Sequence, residues 1–193
     1  MGRLNVLFPQ KTCDTDFIRR VEKESGQNIV KCYQCGNCTA SCIYTDVYDY
    51  PVHQIMRLVQ LGQKDTVLKA RSIWLCANCQ ACTTRCPCNI DVAGIMKALR
   101  IMSLEEGAVS IRNIQIFYDE FLNSVKSFGR VFETGLIAMY NLKAKKPFTD
   151  VDLGPRVLMK GKLALKPPEI KGKKAVADIF ERFKAYQKKS HKD

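Results

Sequence analysis

Two cysteine runs of identical spacing constrain this chain more than anything else in it. They are Cys32, Cys35, Cys38 and Cys42, then Cys76, Cys79, Cys82 and Cys86, the last followed by Pro87. Each reads C-x2-C-x2-C-x3-C, so eight of the ten cysteines sit in two copies of one motif. Three thiolates this close on a short loop can hold one face of a cubane [4Fe–4S] cluster, while the fourth lies slightly too far along and reaches the other cluster. The spacing therefore predicts one cluster on Cys32, Cys35, Cys38 and Cys86 and a second on Cys76, Cys79, Cys82 and Cys42. Such a crossing ties the two halves together and keeps the clusters within electron-transfer reach.

The rival uses of these thiols fit less well. Two C-x2-C pairs supply a tetrahedral zinc site, but zinc needs only four ligands, so the third and fourth cysteines of two runs would be superfluous. A disulfide framework suits small secreted chains, and no signal peptide is read at the N-terminus. Cys13 and Cys88 are left over. Since both cubanes already have four ligands, Cys88 reads as a small buried or loop thiol.

Helical periodicity fills most of the space around the runs. Thr15 is read as the cap of a helix carrying Phe17, Ile18 and Val21, ended by Gly26. Tyr50-Pro51 begins a helix with Val52, Ile55, Met56 and Val59 at i, i+3, i+4 and i+7, closing at Gly62, and helical pattern resumes from Asp65. Asp91 caps another with Val92, Ile95, Met96 and Leu99, running toward Gly107. The cysteine runs repeat at an offset of 44 residues and these helices at 40, Ile55-Met56-Arg57-Leu58 echoing Ile95-Met96-Lys97-Ala98. The first connecting loop is four residues longer. Each half is thus a cysteine loop followed by a helix, and the strand alternation of the small bacterial ferredoxin fold is missing. The expected class is mainly α, a helical two-cluster domain of the type found in the iron–sulfur subunits of fumarate reductases.

Four segments are expected: an N-terminal extension over 1–27, the duplicated cluster domain over 28–107, a helical extension over 108–142 and a basic arm with a C-terminal helix over 143–193. In the third, Ile114, Phe117, Phe121, Val125 and Phe128 mark one face of a helix stopping near Gly129, and a second helix is read from Arg130 to Leu142, interrupted or bent at Gly135. Residues 143 to 172, rich in Lys, Pro and Gly, read as an extended arm. A final helix from about Lys173 to Lys189 puts Val176, Ile179, Phe180, Phe183 and Tyr186 on one side.

Charge follows the same division. The net charge is +12, yet Leu142 to Asp193 holds 15 Lys and Arg against 6 Asp and Glu, a balance of +9. Such a tail is a solvated basic surface, or docks on a partner protein or an acidic lipid surface, and its amphipathic helix equally reads as packing on the chain's own body. The arm's reach favours a partner subunit over lipid. Aromatics are not interleaved with the lysines as a base-stacking platform requires, so nucleic acid is not expected. No apolar stretch approaches the length of a membrane span. Reduced-thiol usage points to the cytoplasm.

The duplicated runs, their helical surroundings, Phe128-Gly129-Arg130-Val131-Phe132-Glu133-Thr134-Gly135-Leu136 and Gly154-Pro155-Arg156-Val157-Leu158-Met159-Lys160-Gly161-Lys162-Leu163 resemble the C subunits of the CoB–CoM heterodisulfide reductases of methanogenic archaea. The likeness runs from about Asn28 to Pro168. It implies an electron-transfer subunit that relays single electrons from a flavin-containing A-type subunit to a B-type subunit, which reduces the CoM-S-S-CoB disulfide in methanogenesis. It also implies indirect contact with a hydrogenase or formate dehydrogenase. Neither a Gly-rich nucleotide fingerprint nor repeated Cys-Cys-Gly segments are present, so no catalytic residue is expected in this chain, and catalysis belongs to the complex. The other reading is an iron–sulfur subunit of a fumarate- or glycolate-type oxidoreductase, or of a heterodisulfide-reductase-like sulfur-oxidising complex. A purely structural role for clusters or zinc, with the tail on nucleic acid, is the non-redox alternative.

Potential-setting groups follow from the loops. Backbone N–H groups at Gly36-Asn37 and from Asn78 to Ala81 are candidate donors to sulfur, with Gly36 permitting close approach. Ile43, Ile73, Trp74, Leu75 and Ile90 flank the ligands as candidate water-excluding groups. His53 reads as a surface or helix-start histidine rather than a proton-coupled tuner.

Overall fold

Local capping sets where the chain turns helical. In α1 (Thr15–Ser25) the Asp14 side chain accepts from the Phe17 amide at 2.8 Å, and Gly26 ends the helix in the left-handed conformation. The cap is therefore Asp14 rather than Thr15, because the carboxylate one residue earlier already takes the orphan amide. The computed structural model describes residues 13–145, 159, 164, 167 and 170–190. Most of the expected arm, with all but Met159 of the Gly154 to Leu163 segment, lies outside the described residues.

Beyond α1 come α2 (Asn37–Ala40), α3 (Val52–Gln60), α4 (Lys64–Leu68), α5 (Ser72–Leu75), α6 (Ala81–Thr84) and α7 (Val92–Glu105). These are followed by α8 (Arg112–Phe128), α9 (Glu133–Lys143) and α10 (Lys173–Ser190). There is no strand among the described residues, which bears out the mainly α expectation. The chain divides into two units, Met1–Ile111 and Arg112–Asp193.

In the first unit α7 packs against α1, α4, α5 and α6, and α3 against α1, α2 and α4. The apolar positions read from periodicity supply the core. Val52, Ile55, Met56 and Val59 of α3 and Val92, Ile95, Met96 and Leu99 of α7 are all buried, joined by Val21, Ile29, Val67, Leu68 and Ile73. Buried polar groups are paired, since Ser103 Oγ donates to the Leu68 carbonyl at 2.7 Å and Trp74 Nε1 reaches the same hydroxyl at 3.4 Å. Gly62 closes α3 at φ +64°, where a Cβ would meet the Asp14 amide nitrogen at 2.5 Å. Two demands converge there, a left-handed backbone and the start of α1 against it.

In the second unit α8 packs against α9 and α10. α9 begins at Glu133, not Arg130, and continues through Gly135. The glycine does not interrupt the helix. It leaves room for the Phe132 ring, whose Cδ1 a Cβ would meet at 2.5 Å. The apolar face of α8 is only partly covered, Phe117 and Phe121 being exposed, while Glu120 and Ser124 are its buried residues.

Candidate iron–sulfur centre

The two cysteine loops repeat each other at the level of single torsions. In the first, Gln34 and Gly36 have φ of 65° and 82°. In the second, Asn78 and Gln80, 44 positions later, have φ of 53° and 67°. Each loop thus turns twice through the left-handed region before a short helix, α2 or α6. No protein atom lies within 4 Å of a Cβ built at Gly36, and Gln80 takes the matching left-handed torsion in the second loop. Among the described residues no acceptor takes the amide hydrogens of Gln34 to Asn37 or of Asn78 to Ala81. Runs of free amides through alternating right- and left-handed residues form concave donors suited to anions and iron–sulfur clusters.

The helix that follows each loop is tied back to it by the same hydroxyl. Thr39 Oγ1 accepts from the His53 amide at 3.0 Å, and Thr83 Oγ1 accepts from the Ala93 amide at 3.1 Å. Thr39 and Thr83 stand directly after the third cysteines of their runs. These hydroxyls satisfy first-turn amides of α3 and α7 that the helices leave orphaned, and so fix each loop on its helix. Each hydroxyl also meets a helix-start side chain. Thr39 Oγ1 lies 2.8 Å from His53 Nδ1, and Thr83 Oγ1 donates to Asp91 Oδ1 at 2.9 Å. Asp91 caps α7 as expected, its Oδ1 accepting from the Gly94 amide at 2.9 Å.

The fold brings the runs together across the sequence. Cys32, Cys35, Cys38 and Cys86 line one cleft, open in part to solvent, with His53 and Met56 on its walls. Cys42 is not among the residues that line this cleft. Burial, then the neighbouring Cys76 and Cys42 thiols, hold the pKa of the Tyr48 hydroxyl well above its ordinary value. Burial also pushes Cys82 up to about 11, with Cys76 and Cys38 adding to the rise. Cys38 is raised chiefly by burial too. Crowded, partly buried thiols resist ionising alone, and iron ions offset that cost when they take the thiolates as ligands.

The flanking apolar residues divide. Ile73, Trp74 and Ile90 are buried and Leu75 is half-buried, but Ile43 is 80% exposed. His53 is the helix-start residue expected, and it also faces the cleft. Cys88 is half-buried beside the Cys86 ligand position, and Cys13 is exposed near Gly62.

Donor set and surroundings fit a cubane pair. Thiols are the ligands that such clusters use, four line one cleft, and free loop amides are available to their sulfurs. No group of three or more His, Cys, Asp or Glu side chains is arranged for a single metal ion among the described residues. A cubane spreads its four thiolates over four irons, which is a wider arrangement than one zinc requires.

Sequence reasoning missed Thr39 and Thr83, Tyr48, Gln60 and Arg100. Gln60 Nε2 donates to the carbonyls of Ile29 and Cys32 at 3.1 and 2.8 Å. Arg100 donates through Nε to Ile73 and through a terminal nitrogen to Cys76, at 2.9 and 2.6 Å. The offsets of 44 and 40 that relate the halves also relate these contacts, a signal present in the sequence once the duplication is carried beyond apolar positions.

The profile of the 4Fe–4S dicluster domain family matches residues 28–90. Among relatives, the second iron–sulfur C subunit of the CoB–CoM heterodisulfide reductase of Methanocaldococcus jannaschii is 34% identical over 137 residues, 66% of this chain and 72% of its own length. The C subunit of the H2:CoB–CoM heterodisulfide,ferredoxin reductase of Methanothermobacter thermautotrophicus is 31% identical over 94 residues, 49% of this chain and 51% of its own. The C subunit of the ferredoxin:CoB–CoM heterodisulfide reductase of Methanosarcina acetivorans is 42% identical over 77 residues, 40% of this chain and 31% of its own. Against several such relatives the match thus spans about half of their length or less.

Proposed function

The chain belongs to the family of iron–sulfur C subunits of heterodisulfide reductases, and on that premise we propose that it is the electron relay of such a complex. In this reading single electrons pass from a flavin-containing A-type subunit, through two [4Fe–4S] clusters on this chain, to a B-type subunit that reduces the CoM-S-S-CoB heterodisulfide. A hydrogenase or formate dehydrogenase stands behind the A-type subunit, and the assembly works in the cytoplasm during methanogenesis.

Cys32, Cys35, Cys38 and Cys86 hold one cluster and Cys76, Cys79, Cys82 and Cys42 the other. The observation that carries this assignment is the cleft in which Cys86 joins three cysteines at least 48 residues away in sequence. Tyr48 supports the converse crossing, since both Cys42 and Cys76 lie near enough to raise the pKa of its hydroxyl. When bound, each cubane supplies one-electron chemistry with little change in ligand geometry. Gln34 to Asn37 and Asn78 to Ala81 offer amide hydrogens to its sulfurs, favouring the reduced, more negative state. Thr39 and Thr83 hold the loops on α3 and α7, so that ligand positions do not move when charge does. Ile73, Trp74 and Ile90 exclude water from the buried side. In this reading catalysis belongs to the partner subunits.

Anaerobic purification with iron, sulfide and zinc analysis tests the reading. About eight irons and eight sulfides per chain are expected from two cubanes, and two zincs without sulfide would overturn it. Cys86→Ser is expected to perturb the cluster on Cys32, Cys35 and Cys38. Spectroscopic loss of only the other cluster would reverse the assignment. Partner identity is read from an anaerobic pull-down, in which A- and B-type subunits are expected with the chain.

A further inference from the structure

The duplication makes each half a control for the other, and at the matched pair that bonds to the backbone opening each run the halves differ by a whole charge. Gln60 of α3 and Arg100 of α7 are related by the helix offset of 40, and their acceptors by the loop offset of 44. Gln60 bridges the carbonyls of Ile29 and Cys32, and Arg100 bridges those of Ile73 and Cys76. Cys32 and Cys76 open the two runs, so each bridge ends on the backbone of a proposed ligand residue. One bridge is a neutral amide and the other a guanidinium that stays charged at any accessible pH.

We propose that Arg100 tunes the redox potential of the second cluster, raising it relative to the first by placing a permanent positive charge against the Cys76 end of its ligand set. The inference rests on the two-cluster reading above. Reduction adds one negative charge, and a fixed cation in a partly buried place favours the state carrying that charge. The electron concerned leaves the cluster on the Cys32 set, which is oxidised, and arrives on the Cys76 set, which is reduced. No proton moves, and no other reactant is needed.

Other charges near the two halves do not remove the asymmetry. Lys31 and Arg85, beside Cys32 and Cys86, also lack charged counterparts, matching Leu75 and Ser41 at the offset of 44, but both are exposed and solvent screens them, whereas Arg100 is half-buried. Arg57 and Lys97 form a matched pair at the same offset of 40, so their charges are common to both halves. Asp91 is the opposing charge, standing where the first half has Pro51, but its Oδ1 is engaged by Gly94 and Thr83 at the start of α7. Arg100 instead donates directly to a ligand residue's own carbonyl. A guanidinium here is a positioning and tuning group and not a catalytic one, because it meets the backbone of a ligand and no substrate.

The test is anaerobic EPR-monitored redox titration of the full chain with its clusters, alongside iron and sulfide analysis. Arg100→Gln copies the first half's solution and is expected to shift the one-electron equilibrium between the clusters by about tenfold toward the first. That corresponds to a fall of about 59 mV in the second potential. Arg100→Lys keeps the charge without the fork and is expected to keep most of that potential. Gln60→Arg is the converse variant, expected to raise the first potential by a similar amount. The proposal is overturned if Arg100→Gln and Arg100→Lys shift the potential alike, which marks a merely structural bridge. It is equally overturned if Gln60→Arg and Arg100→Gln leave both potentials unmoved in chains that retain about eight irons. Iron well short of eight in the unaltered chain would instead bring down the two-cluster reading itself.

Discussion

The two units of the chain solve the same problem, holding helices together, by opposite means. In Met1–Ile111 the helices share a dry apolar core in which Ile29, Ile55, Val59, Ile73, Ile95 and Leu99 have no exposed surface. In Arg112–Asp193, Leu136 is the buried apolar residue among those described, and the other buried groups are Glu120 and Ser124. There, polar contacts and ring edges join the helices. Lys143 pairs with Glu120 at 2.5 Å, Ser124 Oγ accepts from the Phe132 amide at 2.9 Å, and Phe117 meets the Tyr140 ring edge-on at 5.9 Å. The first unit is built to keep a site rigid. The second leaves Ile179, Phe183 and Tyr186 of α10 exposed along the face that periodicity marked as apolar. The amphipathic pattern was legible in both units, but among the described residues it is buried in the first and only partly covered in the second.

The largest effect that can break this contrast is a cavity in the first unit. Leu99 is fully buried in α7, and Leu99→Ala is expected to cost about 2–5 kcal/mol through lost transfer energy and an uncollapsed void. Chemical denaturation followed by far-UV circular dichroism, at matched iron content, measures it. A loss under about 1 kcal/mol would mean that the core is not as rigid as its burial implies. Next is Gly62→Ala, expected to cost about 1–3 kcal/mol. A methyl group there meets the Asp14 backbone and needs a left-handed torsion, so either α3's end or α1's start must move. Loss of α1 docking is read from faster proteolysis near Asp14.

A third expectation concerns pH. Asp49 caps the start of α5, accepting from the Arg71 and Ser72 amides at 2.7 and 2.9 Å and from Ser72 Oγ. Burial pushes its carboxyl up, but the bonds from Ser72, Arg71 and Tyr50 outweigh that and leave it below the ordinary 3.8. A depressed carboxylate stabilises the fold above its unfolded pKa, and that contribution fades as pH falls through the folded value. Asp49→Ala is therefore expected to cost about 1–2 kcal/mol at about pH 7, the scale of a helix cap in a partly exposed place. The gap from the unaltered chain should hold down to about pH 4 and close below it, which thermal unfolding at several pH values would show.

Legibility follows the range over which each signal acts. Ile55, Met56, Ile95 and Met96 were placed correctly because a period of about 3.6 residues reports one face of one helix. The cysteine runs were readable because cluster loops are local. Gln60 reaching Cys32 spans 28 residues and Arg100 reaching Cys76 spans 24, and no periodic signal encodes such a reach. Ile43 misled for a different reason. Apolar residues beside ligands suggest shielding, yet burial is a one-way rule, and a loop can carry an isoleucine on the surface. Asp14 displaced Thr15 as the cap because both are good caps and only the backbone torsions choose between neighbours.

The smallest expected effect is the sharpest test of the contrast between the units. Phe183 on α10 is 58% exposed, so Phe183→Ala is expected to change the stability of the isolated chain by no more than about 0.5 kcal/mol, the range of a surface substitution. A fully buried phenylalanine would cost several times more. The two magnitudes lie far enough apart for a single denaturation curve to decide between them. A loss above about 2 kcal/mol would show that α10 is covered by the chain itself in solution and that the second unit has a core after all. A loss within about 0.5 kcal/mol leaves the exposed face of α10 as apolar surface whose exposure the fold tolerates, because Lys126 pairing with Glu181 and Lys173 lying over the Phe128 ring are contacts that hold α10 on α8 without it.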